Sequence, residues 1–187
     1  MNDFQLYFSL GLQHILSWFS MDHILFLTAL IMVFDFKDWR KLLTLVSLFT
    51  LAHTASLLLS VYGVLQVDEN LIEHLILWTI FITALSNIFA GKTVLLHQIH
   101  YYFSFLFGLI HGLGFATDFK MIIAGQTDKL FPLLEFALGI EAAQIILGVL
   151  ILLILKFIPK FSRLSPREIR LIISGAITGY VLALLFV

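Results

Sequence analysis

The sequence predicts an all-α protein that crosses a membrane as a bundle of six helices, and three observations lead to this fold class. Hydrophobic residues make up 60% of the 187 residues, and only 12% of them are charged. A soluble domain of this size needs more polar surface. The apolar stretches run for about 20 residues or more, enough for a helix to cross a bilayer core of about 30 Å. We therefore expect one transmembrane helical domain over residues 1–187.

Six apolar segments follow one another along the chain, separated by short connections rich in Lys and Arg. We expect helices at approximately residues 4–34, 42–64, 71–90, 102–124, 131–158 and 169–187. The first segment is longer than a perpendicular crossing requires, so it should tilt or begin along the membrane interface. Because it lacks a basic start and contains Asp22 and His23, a cleaved signal peptide is the less favoured interpretation.

The basic residues are divided unevenly between the two sides of the predicted bundle. Lys120 and Lys129 lie on one side, together with five acidic residues of the connections and the amino terminus. The other nine fall on the opposite side: Lys37, Arg40, Lys41, Lys92, Lys156, Lys160, Arg163, Arg167 and Arg170. Cytoplasmic connections of membrane proteins are enriched in Lys and Arg. The sequence therefore predicts that both termini are extracytoplasmic.

Composition excludes several kinds of chemistry. The chain has no cysteine, which rules out disulfides, thiolate metal ligands and thiol nucleophiles. The formal net charge is −1, and the basic residues are scattered over connections, so nothing indicates nucleic-acid binding. The expected partners are the lipid bilayer and an ion, and self-association into a homo-oligomer stays open.

Five ionisable residues near the middle of apolar segments identify the candidate site: Asp22, His23, His53, His111 and Glu141. Each costs about 2.5 to 3.5 kcal/mol on membrane-insertion scales, so such residues need partners. Counting about 1.5 Å per residue from the predicted helix ends places them at a similar depth. Imidazole and carboxylate together, without thiolate, suit a divalent transition metal such as Ni²⁺, Co²⁺ or Zn²⁺.

His14 is a further candidate ligand whose place in the site is not settled by its spacing. It precedes His23 by nine residues, and in a straight helix this spacing puts the two side chains on opposite faces. Either His14 is an outer, transient ligand, or His23 faces another partner, or the helix is distorted near residues 17–20. The first alternative suits a permeation path.

Residues around these ligands indicate close helix packing and hydrogen-bonding support. Gly108 and Gly112 lie four residues apart beside His111, with Gly114 in the same string, a pattern that lets helix backbones approach closely. Polar side chains flank two other candidates. Thr50 and Thr54 are expected to orient the His53 imidazole, and Gln144 the Glu141 carboxylate.

Three polar residues away from this layer have plainer interpretations. We expect His97 and His100 to lie in a solvated cytoplasmic connection, and Asn87 at the end of the third helix.

These residues lie in strings that resemble the HupE/UreJ family of small bacterial membrane proteins. The matching strings are Gly11-Leu12-Gln13-His14-Ile15, Asp22-His23-Ile24-Leu25-Phe26, Phe49-Thr50-Leu51-Ala52-His53-Thr54, Phe107-Gly108-Leu109-Ile110-His111-Gly112-Leu113-Gly114-Phe115-Ala116 and Gly139-Ile140-Glu141-Ala142-Ala143-Gln144. The resemblance implies a nickel or cobalt permease-like protein of the bacterial cytoplasmic membrane. The family pattern usually has a glycine shortly before Asp22 and an Asn where Ala137 stands, and this chain departs from both.

The sequence leaves three functions open. The first is transport of a divalent transition-metal cation past His14 and through Asp22, His23, His53, His111 and Glu141. The second is an intramembrane zinc-dependent hydrolase or acyl-transfer enzyme with Glu141 as its general base. The third is a membrane metal sensor or accessory subunit.

Overall fold

The computed structural model describes residues 2–18, 20–89 and 94–186, leaving aside the side chains of residues 94–97. This part of the chain is helical and contains no strand. Its eight α-helices are α1 (Asp3–Leu16), α2 (Met21–Ile31), α3 (Trp39–Val61), α4 (Glu69–Phe89), α5 (Val94–Gly114), α6 (Ala116–Ile122), α7 (Leu130–Phe161) and α8 (Pro166–Leu185). A short 3₁₀ helix, Phe36–Asp38, leads into α3.

The described helices account for up to six membrane crossings. Four are long and apolar enough to cross alone, namely α4, α7, α8 and the continuous stretch Phe36–Val61. Two bent pairs also satisfy the requirement. The axes of α1 and α2 differ by 69°, and those of Gln98–Gly114 and α6 differ by 52°. Counting each pair as one crossing gives the six that the apolar segments predict.

The expectation of one continuous helix over residues 4–34 is wrong, because the helix breaks after Leu16. Ser17 adopts an extended backbone (φ −75°, ψ 150°), which ends the α-helical hydrogen-bond ladder. The Ser20 N–H then donates to the Ser17 carbonyl over 3.1 Å, and α2 starts at Met21. Serine competes locally for backbone hydrogen bonds and so favours helix ends over helix interiors.

The fourth predicted segment also differs from the structure. Its helix begins at Val94 rather than near residue 102, and it is interrupted at Phe115 before α6. His100 consequently lies within α5 and is fully buried, as is Asn87, so placing His100 in a solvated connection is wrong. The side chain of His97 lies outside the described residues. The remaining predicted helix ends lie within about three residues of the observed ones. Predicted ends 90 and 187 fall outside the described residues.

Glycines bring two helix pairs into backbone contact. α1 packs closely on α7, where a Cβ added to Gly11 would meet the Phe136 carbonyl oxygen. α3 packs closely on α5, where a Cβ on Gly108 would lie 2.6 Å from the Phe49 carbonyl oxygen. A Cβ on Gly112 would meet the His53 carbonyl oxygen. These close approaches bring the backbone at His53 against Gly112, the residue that follows His111 on α5.

Two large apolar clusters form the core. The first includes Phe119 and Phe136 and lies around α1, α6 and α7. The second includes Phe26 and Phe107 and lies between α2, α4 and α5. Aromatic rings of both clusters contact histidines of the candidate site.

Candidate metal-binding site

Asp22 lies at the centre of the candidate site, in the first turn of α2. Its Oδ1 is 3.2 Å from His23 Nδ1, and its Oδ2 is 3.9 Å from His111 Nδ1. One ligand atom from each of Asp22, His23 and His111 lies within 4.8 Å of the other two. Because metal–nitrogen and metal–oxygen bonds of about 2.0 to 2.2 Å hold ligand atoms a few Å apart, small side-chain adjustments bring all three onto one ion.

Together with His23 and His111, His14 and His53 form a layer of four imidazoles, the histidine layer. The His14 ring centroid is 4.7 Å from that of His23 and 5.7 Å from that of His53. His23 lies 5.0 Å from His111 and 6.2 Å from His53, centroid to centroid. Of the three alternatives for His14, the structure therefore shows helix distortion, since the break between α1 and α2 turns both side chains toward the same layer.

The broken helix also favours these residue types electrostatically. His14 lies in the last turn of α1, where the helix dipole is negative, and Asp22 lies in the first turn of α2, where it is positive. Interrupted membrane helices form ion sites in secondary transporters through the same helix-end charges and freed backbone groups. The interruption thus places His14, a ligand for a cation, at the negative end of α1. It places the Asp22 carboxylate at the positive end of α2.

Several ring nitrogens in this layer are buried without a hydrogen-bond partner among the described residues. These are both nitrogens of His23 and of His53, Nε2 of His14 and Nδ1 of His111. The contact of His23 with Asp22 is close but lacks hydrogen-bond geometry. Unpartnered polar atoms inside a membrane protein are costly and need an explanation. Neutral imidazole nitrogens beside one carboxylate fit a borderline transition-metal cation.

Thr79 fixes the tautomer of His111. The Thr79 hydroxyl donates its one hydrogen to the Ile76 carbonyl over 2.6 Å, and its oxygen lies 3.3 Å from His111 Nε2. The oxygen therefore accepts from Nε2–H, which leaves the lone pair of His111 on Nδ1, facing Asp22. Thr79 was not among the predicted site residues, although its four-residue spacing with the polar residues Thr83 and Asn87 is visible in the sequence.

Glu141 lies outside the group formed by Asp22, His23 and His111. Its Oε1 accepts a hydrogen bond from Ser47 Oγ of α3 over 2.6 Å. Three residues further along α7, the side-chain Oε1 of Gln144 accepts a hydrogen bond from Thr50 Oγ1 over 3.0 Å. These two hydrogen bonds join α7 to α3 in the turns of α3 that precede His53.

The other supporting residues occupy different surroundings. Thr54 Oγ1 is buried, and it has no hydrogen-bond partner in the described part of the chain. Gly114 packs against α4, where an added Cβ would lie 2.9 Å from Ile76 Cδ1. The layer therefore involves α1, α2, α3 and α5, with α4 and α7 behind it.

Aromatic rings enclose the histidines. Phe115 and Phe136 lie 4.1 and 5.5 Å from the His14 ring, and Phe26 and Phe49 lie 5.3 and 5.4 Å from the His111 ring. This apolar surround lowers the local polarity and strengthens the attraction between the Asp22 carboxylate and a cation.

Comparison with known proteins assigns the chain to a family. The family model described as HupE / UreJ protein matches residues 1–187. The chain belongs to the HupE/UreJ family. No curated protein and no solved structure matches it. In this HupE/UreJ protein the whole histidine layer falls within the matched residues.

Proposed function

We propose that this HupE/UreJ protein transports a divalent transition-metal cation, Ni²⁺, Co²⁺ or Zn²⁺, through the layer of Asp22, His14, His23, His53 and His111. The main support is the group of Asp22, His23 and His111, whose ligand atoms lie within 4.8 Å of one another among apolar helices. The association of the family with nickel and cobalt transport favours Ni²⁺ and Co²⁺ as substrates.

The chemistry of the donors suits a substrate that binds and leaves. Asp22 supplies one negative charge, and the imidazoles supply neutral nitrogens that can exchange with one another as an ion moves. The Asp22 side chain is 30% exposed, whereas His53 and His111 are fully buried, so the ion meets the carboxylate before the innermost rings. Protonation of the same ligands lowers metal affinity and provides a means of release.

The membrane potential can supply the driving force. It is worth about 2.3 kcal/mol per elementary charge per 100 mV, and a divalent cation moves two charges. We propose that the cation enters from the extracytoplasmic side past His14 and leaves toward the cytoplasm.

Elemental analysis of the purified protein, followed by nickel uptake into proteoliposomes, tests this proposal. We expect bound metal and uptake with the wild-type protein, and loss of both with Asp22→Asn, which keeps side-chain size but removes the charge. Asp118→Asn is the matched control, because Asp118 is exposed and lies outside the layer. Stoichiometric zinc that neither exchanges nor enters vesicles would overturn transport and favour the hydrolase or accessory functions.

A further inference from the structure

A second group of buried polar side chains lies between α2, α4 and α5, away from the histidine layer. Asn87 and His100 are both fully buried, and His100 Nε2 is 3.2 Å from Asn87 Oδ1. Asn87 Nδ2 donates to the Ala29 carbonyl over 2.7 Å. The pair therefore joins α2, α4 and α5. Transport through the histidine layer alone gives this pair no role.

Buried polar side chains connect this pair to the histidine layer along α4. Thr79, Thr83 and Asn87 follow one another at four-residue intervals, and each is at most 3% exposed. The Thr83 hydroxyl donates to the Thr79 carbonyl over 2.7 Å, and Thr79 contacts His111. Residues four apart on a helix lie on nearly the same face. These three residues form one polar stripe on α4.

α5 presents a corresponding stripe. His100, Ser104 and His111 are all buried, and eleven residues at 100° each bring His111 within about 20° of His100 around the helix. The rise of about 1.5 Å per residue separates the two imidazoles by roughly 16 Å along the axis. Ser104 Oγ donates to the Leu45 carbonyl over 2.6 Å. The α4 stripe begins at Thr79, beside His111, and ends at Asn87, beside His100. On α5, the buried ring of Phe107 lies between Ser104 and His111.

The surroundings of this stripe are apolar. Phe26, Phe34 and Phe107 belong to the cluster that encloses it, and the Phe34 ring is 6.2 Å from the His100 ring. Hydrogen bonds between membrane helices add little stability on average, about 0.6 kcal/mol each. An intramembrane ionisable side chain therefore suggests an ion or proton path more strongly than it suggests packing.

We propose that Asn87 and His100 form a second binding station for the divalent cation, reached from the histidine layer along Thr79 and Thr83. This inference rests on the proposed transport function and deepens it. One imidazole and one amide oxygen without a carboxylate bind a divalent cation more weakly than the group around Asp22. A weaker second site lets the ion leave the tighter one, as conduction through successive sites requires.

Cysteine substitution tests the station directly, because the native chain has no cysteine. In His100→Cys the new thiol is the only one, and it can still bind metal. We expect a charged, membrane-impermeant methanethiosulfonate to modify it when the transport path opens to water, and Ni²⁺ to protect it from that modification by binding the thiol. Leu106→Cys is the control. Leu106 is 52% exposed on the same helix, and we expect this apolar surface to face lipid, so its thiol should stay unreactive with and without Ni²⁺.

A conservative variant separates transport from packing. His100→Gln keeps a side-chain amide beside Asn87 but removes the imidazole. We expect nickel binding and thermal stability close to wild type, with uptake slowed by about tenfold. Wild-type uptake by His100→Gln would overturn the second station, and so would a thiol in His100→Cys that is unreactive or unprotected by Ni²⁺. Absence of uptake by the wild-type protein would instead overturn transport itself, so the two failures are distinguishable.

Discussion

The imidazole rings of His14 and His23 lie 4.7 Å apart, centroid to centroid, although the two residues are nine positions apart in the sequence. A straight helix would put these side chains on opposite faces. The break between Leu16 and Met21 turns α2 by 69° relative to α1 and brings the rings together. The candidate site is therefore built across an interrupted helix.

The two carboxylates that the sequence singled out should differ in importance. Asp22→Asn removes the charge next to His23 and His111, and we expect nickel affinity to fall by at least about 100-fold. Glu141→Gln keeps a carbonyl oxygen for Ser47, and we expect affinity within about threefold of wild type, since a neutral partner preserves the hydrogen bond. Isothermal titration in detergent measures both. Equal losses would show that Glu141 is itself a ligand.

Gly112 should be intolerant of even one methyl group. A Cβ there would meet the His53 carbonyl oxygen and Ser56 Oγ, so Gly112→Ala must push α3 and α5 apart. We expect it to destabilise the protein by about 1 to 3 kcal/mol and to weaken nickel binding. Gly175→Ala is the control, because nothing lies within 4 Å of its added Cβ, and alanine should stabilise that helix by about 0.5 to 1 kcal/mol. Thermal unfolding in detergent compares the two. Similar midpoints for both variants would disprove the tight α3–α5 contact.

The hydroxyl of Thr79 should matter for metal binding even though it is no ligand. Thr79→Val keeps the side-chain shape but removes the oxygen that accepts from His111 Nε2–H. The imidazole can then adopt the other tautomer, and we expect nickel affinity to fall by about tenfold or more. Thr178→Val, which removes a hydroxyl bonded to the Ser174 carbonyl on α8, should leave affinity unchanged. An unaffected Thr79→Val variant would contradict the tautomer assignment.

The charge distribution predicts the orientation of the protein. Lys160 lies near the end of α7, on the side that has most of the basic residues. We expect Lys160→Cys to resist an impermeant thiol reagent added to intact cells and to react after permeabilisation, because the cytoplasmic side is the basic side. Lys129→Cys, on the opposite side, should react in intact cells. The reverse pattern would invert the orientation.

Much of the fold could be predicted from apolar length, but the helix break could not. The number of long apolar runs limits how many crossings fit, and the apolar runs of this chain predict six, the number reached when each bent pair counts as one crossing. The break depends on local hydrogen bonding of Ser17 and Ser20, two small residues that do little to the overall hydropathy. The spacing of His14 and His23 left helix distortion as one of three alternatives, and only the structure distinguishes them.

The candidate site was partly predictable for a related reason. Placing an ionisable side chain within the membrane costs free energy, so such residues are rare there without a function. Asp22, His23 and His111 could therefore be predicted as site residues from the sequence. Which of them face one another depends on helix rotation, and the preference of Glu141 for Ser47 is not visible in the sequence. Burial of His100 was missed because the start of α5 was placed too late.

A double-mutant cycle on His14 and His23 tests the central claim, that one cation binds across the helix break. Nickel affinity would be measured by isothermal titration for wild type, His14→Ala, His23→Ala and the double variant. If both rings bind the same ion, the double variant should lose much less than the sum of the two single losses, because the first substitution already disrupts the shared site. Strictly additive losses, or wild-type affinity in His14→Ala, would show that the two histidines do not share an ion.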